Sequence, residues 1–350
     1  MSTSPRAYTR PLDIQRGRID LNHGAGGRAS AQLIRELFLP AFDNPALRQG
    51  DDGARLPPAQ GRLVLATDAH VVSPLFFPGG DVGSLAVHGT INDVAVMGAQ
   101  PLYLTASFII EEGFALAELQ RIAQSMGAAA RAAGVAVVTG DTKVVERGKG
   151  DGVFISTTGL GVLADGVEVG GALAQPGDAV LISGTIGDHG VAVLSQRESL
   201  GFAADVRSDS AALHTLTAAV LAAAPGAVHV LRDPTRGGLA TTLNEIASQS
   251  AVGMTLDEAA IAVNPPVEAA CELLGLDPLY VANEGKLVVI CTAAAADAVL
   301  AALRAHPLGA RAARIGTVTA EGQPFVQMRT RLGGRRIVDW LSGEQLPRIC

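Results

Sequence analysis

Five short segments that contain aspartate punctuate the pattern of predicted strands and helices in this chain. They are GDDG at 50–53, ATD at 66–68, IND at 91–93, TGDTK at 139–143 and RDPTRGG at 232–238. Carboxylate oxygens suit Mg²⁺, a hard cation that shares its coordination shell with substrate phosphates. One loop aspartate alone is usually a solvated turn residue or a helix cap. Five such segments together favour a site for a metal ion and a nucleotide.

Phosphate groups also need cationic side chains and accessible backbone N–H groups. Lys143 lies two residues after Asp141, and Arg236 directly precedes Gly237. A lysine or arginine supplies the charge, and glycine lets the backbone approach a phosphate closely. These two segments are therefore candidate phosphate contacts.

A glycine-rich loop, HGAGGR at 23–28, precedes an amphipathic run at 31–39. It is neither a GxGxxG motif after a strand nor a GxxxxGK[ST] loop. A standard dinucleotide site or P-loop is therefore not supported. The alternative interpretation of this segment is a flexible N-terminal connection.

The chain ends in a cysteine, Cys350. The thiolate is the reactive form of cysteine, and a nearby cation such as Arg348 lowers the pKa of a thiol. Pro347 disfavours helix for Leu346, so the tail is predicted to be extended. Such a thiol can reach into another site and carry a covalently attached group. The alternative is a frayed chain end with no function.

The elements that must position these residues form two similar halves. Strands are predicted at 62–66, 101–110, 135–139, 153–162, 179–183 and 287–291, and helices at 82–97, 116–133, 210–224, 239–250 and 294–305. Strands that alternate with helices indicate an α/β or α+β architecture. Turn residues at 164–166 and 175–178 predict a domain boundary near 165–177.

Composition excludes some classes of function. Hydrophobic residues make up 48% of the 350 residues but aromatic residues only 4%, so the interior must consist mainly of Ala, Val, Leu and Ile. A net charge of −7 argues against binding to nucleic acid. The polar N-terminus does not resemble a signal peptide, and no apolar run reaches the roughly 20 residues of a membrane span. We therefore expect a cytoplasmic protein without a membrane segment.

The chain has three cysteines, an odd number that leaves at least one unpaired. Cys271 lies in a helical-looking stretch, and Cys291 lies at the end of a predicted strand. Both are expected to be buried small hydrophobic residues. No group of Cys and His residues has the spacing of a zinc site.

Eight segments, taken in order, resemble the hydrogenase maturation factor HypE family. They are HGAGGR at 23–28, PGGD at 78–81, TINDVA at 90–95, VTGDTKVV at 138–145, GDHG at 187–190, DPTRGG at 233–238, ANEGKL at 282–287 and PRIC at 347–350. The resemblance extends from about residue 18 to the end of the chain. It is specific because the order, the spacing and the terminal cysteine all agree.

The resemblance implies an aminoimidazole ribonucleotide synthetase-like fold with two α/β domains. Members of that superfamily typically dimerise through their N-terminal domains, which form a β-barrel-like interface near the ATP site. The expected division is an N-terminal extension with the glycine-rich loop at 1–50, an ATP-binding and dimerisation domain at 51–168, a C-terminal α/β domain at 169–335 and a flexible tail at 336–350. Because members of the superfamily dimerise through the N-terminal domain, the resemblance also implies a homodimer.

The resemblance also implies a reaction. In HypE-type proteins a HypF-type carbamoyltransferase loads a carbamoyl group onto the terminal cysteine, which Cys350 matches. Dehydration of that group, which consumes ATP, converts it to a thiocyanate. The cyano group then passes to the iron carried by the HypC–HypD complex, as a ligand of the [NiFe] hydrogenase centre.

The roles of individual residues follow from matching positions. The resemblance implies metal and phosphate organisation by Asp52, Asp68, Asp93 and Asp233, with Mg²⁺ as the ion, and contacts to ATP by Gly24, Gly26, Gly27, Asn92, Asp141, Thr142, Thr235, Arg236 and Gly237. It further implies that Lys143 neutralises charge on the activated oxygen and that Glu284 accepts a nitrogen proton. The alternatives are an ion pair of Glu284 with Lys286 or a solvated turn for Glu284, and a surface pair of Lys143 with Glu146.

Three positions depart from the pattern of the family. Ala69 stands where many relatives have a hydroxyl residue, His70 replaces an aromatic residue, and His88 replaces a cysteine. A contact from the hydroxyl group is therefore in doubt, and a structural role is expected for His88.

Two other functions remain open at the level of sequence. One is a different phosphotransferase of the same superfamily, such as a selenophosphate synthetase or a thiamine-phosphate kinase. Selenophosphate synthetases have a reactive cysteine or selenocysteine and a nearby lysine in the N-terminal loop, and the segment 17–28 has neither. The other is a maturation scaffold that binds ATP without catalysis and uses the tail as a docking peptide.

Overall fold

The computed structural model describes residues 11–198, 206–320, 324–343 and 346–350. The first half contains α1 (Arg28–Leu33), α2 (Leu39–Phe42), β1 (Arg62–His70), β2 (Phe76–Phe77), β3 (Gly80–Asp81), α3 (Val82–Val96), β4 (Gln100–Glu111), α4 (Leu116–Ala132), β5 (Ala136–Val145) and β6 (Val153–Leu163). The second half contains β7 (Ala179–Ile182), α5 (Asp188–Arg197), α6 (His214–Ala223), β8 (Val228–Arg232), α7 (Gly238–Ser250), β9 (Gly253–Asp257), α8 (Pro265–Leu274), β10 (Val288–Cys291), α9 (Ala296–Ala305), β11 (Ala313–Thr319), β12 (Phe325–Arg329) and β13 (Arg335–Ile337). The expected mixture of strands and helices in two units is confirmed.

The first sheet has four strands in the order β1-β6-β4-β5. Only β4 and β5 are parallel, and α4 forms the crossover that a parallel connection requires. One face of the sheet packs against α3 and α4, while the other exposes large apolar side chains, including Leu63, Leu65 and Ile109, which are 62%, 70% and 44% exposed. Within one described chain the sheet is open, with β1 and β5 as its edges.

Helix α3 is buried on nearly all sides. Its N-terminus is capped by Asp81, whose carboxylate accepts hydrogen bonds from the backbone of Gly83 and Ser84. It lies between the first sheet and elements of the second half, since it contacts β1 and β6 on one side and α6 and β8 on the other. Polar residues near its C-terminal end are therefore held between the two halves of the chain.

The second sheet has seven strands in the order β13-β12-β9-β11-β7-β10-β8. All of its pairs are antiparallel except β12 with β9. The central strands β7 and β10 are buried along their whole length, as expected for strands with helices on both faces. The two buried cysteines belong to this half, since Cys271 and Cys291 are 1% and 0% exposed, as predicted.

The N-terminal segment and the C-terminal tail both join the core of the first half. Ile19, Leu33 and Leu37 are buried there, and so is Ile349, which is 3% exposed. The tail therefore crosses back to the first sheet after the second sheet is complete. In the described residues, no helix is long and apolar enough to cross a membrane.

Candidate active site

Three aspartates from different elements meet beneath the first sheet. Asp68 lies on the inner face of β1, Asp93 in the last turn of α3, and Asp233 directly after β8. Asp68 and Asp93 are hydrogen bonded, the charge of Asp233 raises the pKa of Asp93, and the charge of Asp68 contributes to the raised pKa of Asp233. A Cβ atom at Gly89 would lie 3.5 Å from Oδ2 of Asp68 and 3.0 Å from the ring of His70, so the glycine leaves room for these side chains. We call Asp68, Asp93 and Asp233 the acid cluster.

The acid cluster is electrostatically crowded. Burial, then the charges of Asp233 and Asp68, raise the pKa of Asp93 to about 8. Burial likewise raises the pKa of Asp233 to about 6. In the described part of the chain, no three His, Cys, Asp or Glu side chains are arranged to hold a metal ion by themselves. The crowded oxygens nevertheless suit Mg²⁺, which typically uses one or two carboxylates and completes its shell with phosphate and water.

Glu284 lies beside the acid cluster and is 2% exposed. Its backbone N–H donates to Oδ1 of Asp209 at 3.1 Å, and its Oε1 atom has no hydrogen-bond partner among the described residues. Burial, followed by the charges of Asp233 and Asp209, raises the pKa of Glu284 well above its usual range. The side chain of Lys286 instead pairs with Asp209, at 3.0 Å. Glu284 is therefore neither paired with Lys286 nor solvated, and both alternatives are wrong.

The terminal thiol lies next to Glu284 in the same subunit. The Cys350 side chain is within hydrogen-bonding reach of the Glu284 carboxyl group, and both Arg236 and Asp68 are near it. Burial first, and then the charge of Glu284, raise the pKa of the Cys350 thiol. The expectation that Arg348 would favour the thiolate is wrong, because its guanidinium pairs with Asp151. In this position Cys350 is a neutral thiol.

The described tail residues 346–350 form no helix and lie along the segment that follows β1. The backbone N–H groups of Val71 and Ser73 donate to backbone oxygens of Cys350 and Arg348, each at 3.1 Å. The tail thus pairs as a short antiparallel extension of β1. This placement, in a tail expected to be flexible, holds Cys350 at the acid cluster.

A second group of candidate residues surrounds a cavity of about 370 Å³ at the opposite edge of the first sheet. The loop at 23–26 forms one wall, and the segment 139–143 of β5 forms another. Phe38 and Phe108 provide apolar surface inside it. A Cβ atom at Gly24 would lie 2.5 Å from the backbone nitrogen of Val144, so glycine allows the loop to approach β5 closely. The size and lining suit the base of a nucleotide.

Asp141 and Lys143 form an exposed ion pair of 2.9 Å at the rim of this cavity. The predicted alternative, a pair of Lys143 with Glu146, is therefore wrong. The strand pairing gives the path from Asp141 across the sheet. Asp141 on β5 pairs with Ser107 on β4, and Ser107 pairs with Ser156 on β6. Ser156 then pairs with Ala69 on β1, the residue next to Asp68. Three strand spacings separate Asp141 from the acid cluster, a distance of roughly 14 Å.

The other predicted nucleotide contacts near α7 lie close to the acid cluster. Thr235 and Gly237 form the turn that begins α7, and Arg236 is exposed on it. Gly237 and Gly238 have φ angles of +76° and +60°, a region that favours glycine. Asp52 lies exposed in the bend at 51–53, and no contact between it and the acid cluster is present in the described residues.

Asn92 has a structural role in this arrangement. Its side-chain amide donates to the carbonyl groups of Ala211, at 3.0 Å, and Glu284, at 3.3 Å, while its oxygen accepts from the N–H of Leu213 at 2.8 Å. Asn92 thereby ties α3 to the loop that carries Glu284. His88 also has a structural contact, a 2.9 Å hydrogen bond between its Nδ1 atom and the hydroxyl group of Ser210, as expected for it.

Sequence reasoning missed three residues that support the site, His189, Arg197 and Asp209. His189 and Arg197 contact the tail, and Asp209 holds the backbone of Glu284. The GDHG segment that contains His189 was a detectable signal. Arg197 and Asp209 lie outside the motifs, and only the fold brings them to the site.

Comparisons with known proteins identify the family to which this chain belongs. The family "AIR synthase related protein" matches through its N-terminal domain at residues 50–163 and its C-terminal domain at residues 175–329. Carbamoyl dehydratase HypE of Cupriavidus necator is 72% identical over 344 residues, which are 98% of each chain.

Two solved structures are also similar. A crystal structure of hydrogenase maturation protein HypE in complex with ATP superposes with a TM-score of 0.90 at 55% identity, covering 94% of this chain and 99% of that one. The HypE chain of a HypE–HypF complex gives a TM-score of 0.78 at 48% identity, covering 88% and 99%. The chain therefore belongs to the HypE family of carbamoyl dehydratases, hydrogenase maturation proteins of the AIR synthase-related fold.

Proposed function

We propose that this protein dehydrates an S-carbamoyl group on its own Cys350 to a thiocyanate, with ATP as the phosphoryl donor. The observation that carries the proposal is the placement of a terminal thiol against Glu284 and the acid cluster. A buried carboxyl group with a free oxygen and a cluster of aspartates are the groups that proton removal and phosphoryl transfer require. The use of ATP is supported by a relative solved in complex with it.

The reaction needs activation because the carbamoyl oxygen would otherwise have to leave as hydroxide. Attack of that oxygen on the γ-phosphate of ATP forms an O–P bond, releases ADP and, with loss of one nitrogen proton, gives an imidate phosphate. Removal of the second nitrogen proton then forms the C≡N bond as the C–O bond breaks and phosphate leaves. The product is the thiocyanate of Cys350, together with ADP and phosphate.

Glu284 is the group placed to accept a nitrogen proton. Its carboxyl group is adjacent to the sulfur that carries the substrate, and its Oε1 atom is free of other partners among the described residues. Its pKa is raised by burial and by the charges of Asp233 and its neighbours. Neutralising the acid cluster would lower that pKa and leave Glu284 ionised, which is the form that acts as a base.

Asp68, Asp93 and Asp233 would hold Mg²⁺, with Asp52 reaching the shell only after movement of its bend. The crowding that raises the pKa of Asp93 to about 8 is what a divalent cation would relieve. When bound, the ion would neutralise charge on the transferred phosphoryl group. Arg236 at the turn before α7 adds a cation on the same side.

The nucleotide cavity and the acid cluster lie at opposite edges of the first sheet, so one subunit does not bring them together. We propose that a second copy does so, by pairing its sheet face to face with this one in a homodimer. The exposed Leu63, Leu65 and Ile109 supply an apolar surface for that contact. Asp141, Thr142, Lys143 and the loop with Gly24, Gly26 and Gly27 would then serve the partner's acid cluster.

The docked thiol is unsuited to receive the carbamoyl group itself, because its pKa is raised and the reactive form is the thiolate. Loading therefore takes place with the tail withdrawn, on a separate carbamoyltransferase. A relative solved as a HypE–HypF complex supports a HypF-type protein as that partner. The cyano group would then pass to iron held by a HypC–HypD complex, for assembly of a [NiFe] hydrogenase in the cytoplasm.

The test incubates the protein with a HypF-type carbamoyltransferase, carbamoyl phosphate and ATP, and follows the mass of the C-terminal peptide. We expect the gain of a carbamoyl group and then the loss of one water. Cys350→Ser should show neither change. An unmodified wild-type peptide, under conditions in which a relative is modified, would overturn the proposal, and a carbamoyl group that is never dehydrated would indicate a scaffold.

A further inference from the structure

Three consecutive residues at the end of the tail all accept hydrogen bonds through backbone oxygens. The carbonyl of Arg348 accepts from Ser73 and from Nη2 of Arg197, the latter at 2.8 Å. The carbonyl of Ile349 accepts from Nε2 of His189 at 2.8 Å, and a backbone oxygen of Cys350 accepts from Val71. The protein thus recognises the tail through its main chain, next to the reactive sulfur.

Helix α5 supplies two of these contacts. His189 lies in its first turn and Arg197 is its last residue. The neighbouring Gly190 provides space for the tail, because a Cβ atom there would lie 3.2 Å from Leu346 and 2.5 Å from Val281. The segment 187–190, which the proposed chemistry does not use, therefore forms part of the docking site for the tail.

The chemistry of the contacts determines the tautomer of His189. A carbonyl oxygen only accepts, so Nε2 must carry the proton that it donates to Ile349. His189 is completely buried, and burial lowers its pKa, so the ring is neutral and Nδ1 accepts from the hydroxyl group of Ser208 at 2.8 Å. Phe77 packs edge-on against the ring, with centroids 5.4 Å apart. The ring has one orientation available to it.

Ser208 connects His189 to the proposed base. The next residue, Asp209, accepts the backbone N–H of Glu284 at 3.1 Å through Oδ1. A Cβ atom at Gly285 would lie 1.8 Å from the carbonyl oxygen of Asp209, so the two segments are in close contact. The tail and the loop that carries Glu284 are thereby held by adjacent residues of one segment.

We propose that His189 is a positioning residue for the dehydration, which holds the Ile349 carbonyl so that the sulfur of Cys350 meets Glu284. Ser208 and Asp209 hold His189 and the loop that carries Glu284 in fixed positions relative to each other. This inference deepens the proposed function and rests on it for the chemical step. The docking contact itself is independent of that function.

The test compares two amide replacements that differ in which ring nitrogen they imitate. In His189→Gln the amide nitrogen lies near the position of Nε2 and can still donate to Ile349. In His189→Asn it lies near Nδ1 and cannot. Alkylation of Cys350 by iodoacetamide, followed by mass spectrometry of the C-terminal peptide without ATP, reports how often the tail is undocked. His229→Gln is the control, because His229 is a half-buried histidine paired with Asp178 in the second half of the chain.

We expect alkylation of His189→Asn to be about 3- to 10-fold faster than that of the wild type, the effect of losing one hydrogen bond. His189→Gln and the His229→Gln control should lie within about twofold of the wild type. Equal rates for the Asn and Gln variants would overturn the proposal, and so would a wild-type rate for His189→Asn. Circular dichroism checks that both variants are folded.

The second measurement is single-turnover dehydration of carbamoylated protein over a range of ATP concentrations up to saturation. His189→Asn should dehydrate more slowly, with an unchanged KM for ATP, and His189→Gln should recover the rate. If the wild type does not dehydrate the group, the proposed function fails while the alkylation result still decides the docking contact. If His189→Asn is alkylated faster but dehydrates at the wild-type rate, the positioning role is overturned.

Discussion

The thiol of Cys350 and the carboxyl group of Glu284 lie within hydrogen-bonding reach of each other in the same subunit. Burial and the charge of Glu284 raise the pKa of the Cys350 thiol, while burial and the charges of the nearby aspartates raise the pKa of Glu284. The site therefore disfavours a free thiolate and suits a neutral sulfur that already carries a group. This distinguishes a tethered substrate from an ordinary active-site nucleophile.

Replacement of Glu284 by Gln should stall the carbamoylated protein. The change keeps the shape of the side chain but removes the proton acceptor, so we expect dehydration to slow by about 10²- to 10⁴-fold. Binding of ATP should change little, since the proposed contacts with the base of the nucleotide lie at the other sheet edge. Mass spectrometry of the C-terminal peptide, together with a nucleotide-binding assay, measures both effects.

Glu268→Gln, an exposed substitution on α8, is the matched control and should dehydrate the group normally. A Glu284→Gln variant that dehydrates at the rate of this control would remove Glu284 from the catalytic role.

The ionisation of Asp93 should make the protein less stable as pH rises. Its pKa is about 8 in the folded protein, against 3.8 for an unperturbed aspartate, so the folded state retains a proton that the unfolded state has released between these values. The contribution of Asp93 to the free energy of unfolding therefore falls as pH rises from about 4 to 8. Asp93→Asn should be more stable than the wild type at pH 8, by on the order of 2 kcal/mol or more, and the difference should shrink towards pH 4.

Thermal melts across this pH range, with and without Mg²⁺, measure the effect. Mg²⁺ should reduce the pH dependence of the melting temperature of the wild type, because a bound cation offsets the repulsion within the acid cluster. Asp257→Asn is the control, since Arg329 lowers the pKa of that exposed carboxyl group and the effect there has the opposite sign. If the stabilities of the wild type and Asp93→Asn rise in parallel between pH 5 and pH 8, the pKa of Asp93 is not raised by its neighbours in the acid cluster.

Local pattern was sufficient to predict two helices of the first half, including α3, which carries Asp93, but it missed β8, the strand that precedes Asp233. The helix predicted at 82–97 is observed at Val82–Val96, and the one predicted at 116–133 is observed at Leu116–Ala132. The cap of α3 by Asp81 and the apolar periodicity of α4 are both properties of residues close together in the chain. The strand predicted at 135–139 continues to Val145, because pairing with β4 carries the polar residues 140–143 into the sheet.

Long-range pairing accounts for what the sequence pattern missed. The short strands β9, β11 and β12 have no strong alternation, and β12 pairs with β9 across many intervening residues. The contact between Cys350 and Glu284 depends on the tail crossing back to the first half, which no local feature specifies. Likewise, Arg348 is close to the thiol in sequence, but Asp151 holds it elsewhere.

The approach of the glycine-rich loop to β5 should matter for nucleotide binding. A Cβ atom at Gly24 would lie 2.5 Å from the backbone nitrogen of Val144, so Gly24→Ala must displace the loop from the wall of the cavity. A Cβ atom at Gly170, far from this loop in the chain, would lie no closer than 3.9 Å to its nearest neighbour, Leu173, which makes Gly170→Ala the control. We expect Gly24→Ala to raise the KM for ATP about tenfold, and Gly170→Ala to change it by less than about twofold. Equal KM values for the two variants would show that the loop does not line the nucleotide site.

The separation of Lys143 from the acid cluster predicts that two subunits share each site. Lys143 lies at the β5 edge and Asp68 at the β1 edge of one sheet, roughly 14 Å apart. Lys143→Ala and Glu284→Gln should each be inactive alone. If Lys143 serves the partner's site, a mixed dimer has one site with both defects and one with neither. After subunit exchange, an equal mixture should regain about a quarter of the wild-type activity, because half of the dimers are mixed and each has one intact site.

The single-turnover assay with the two inactive variants, separately and mixed, measures this complementation. A Leu65→Asp substitution in both chains is the control, because a charge on the exposed sheet face should prevent dimerisation and abolish the recovery. Light scattering confirms the oligomeric state of each sample. If the mixture remains inactive although subunits exchange, each site is complete within one chain, and Lys143 must then reach the cluster by movement of β5 rather than from the partner.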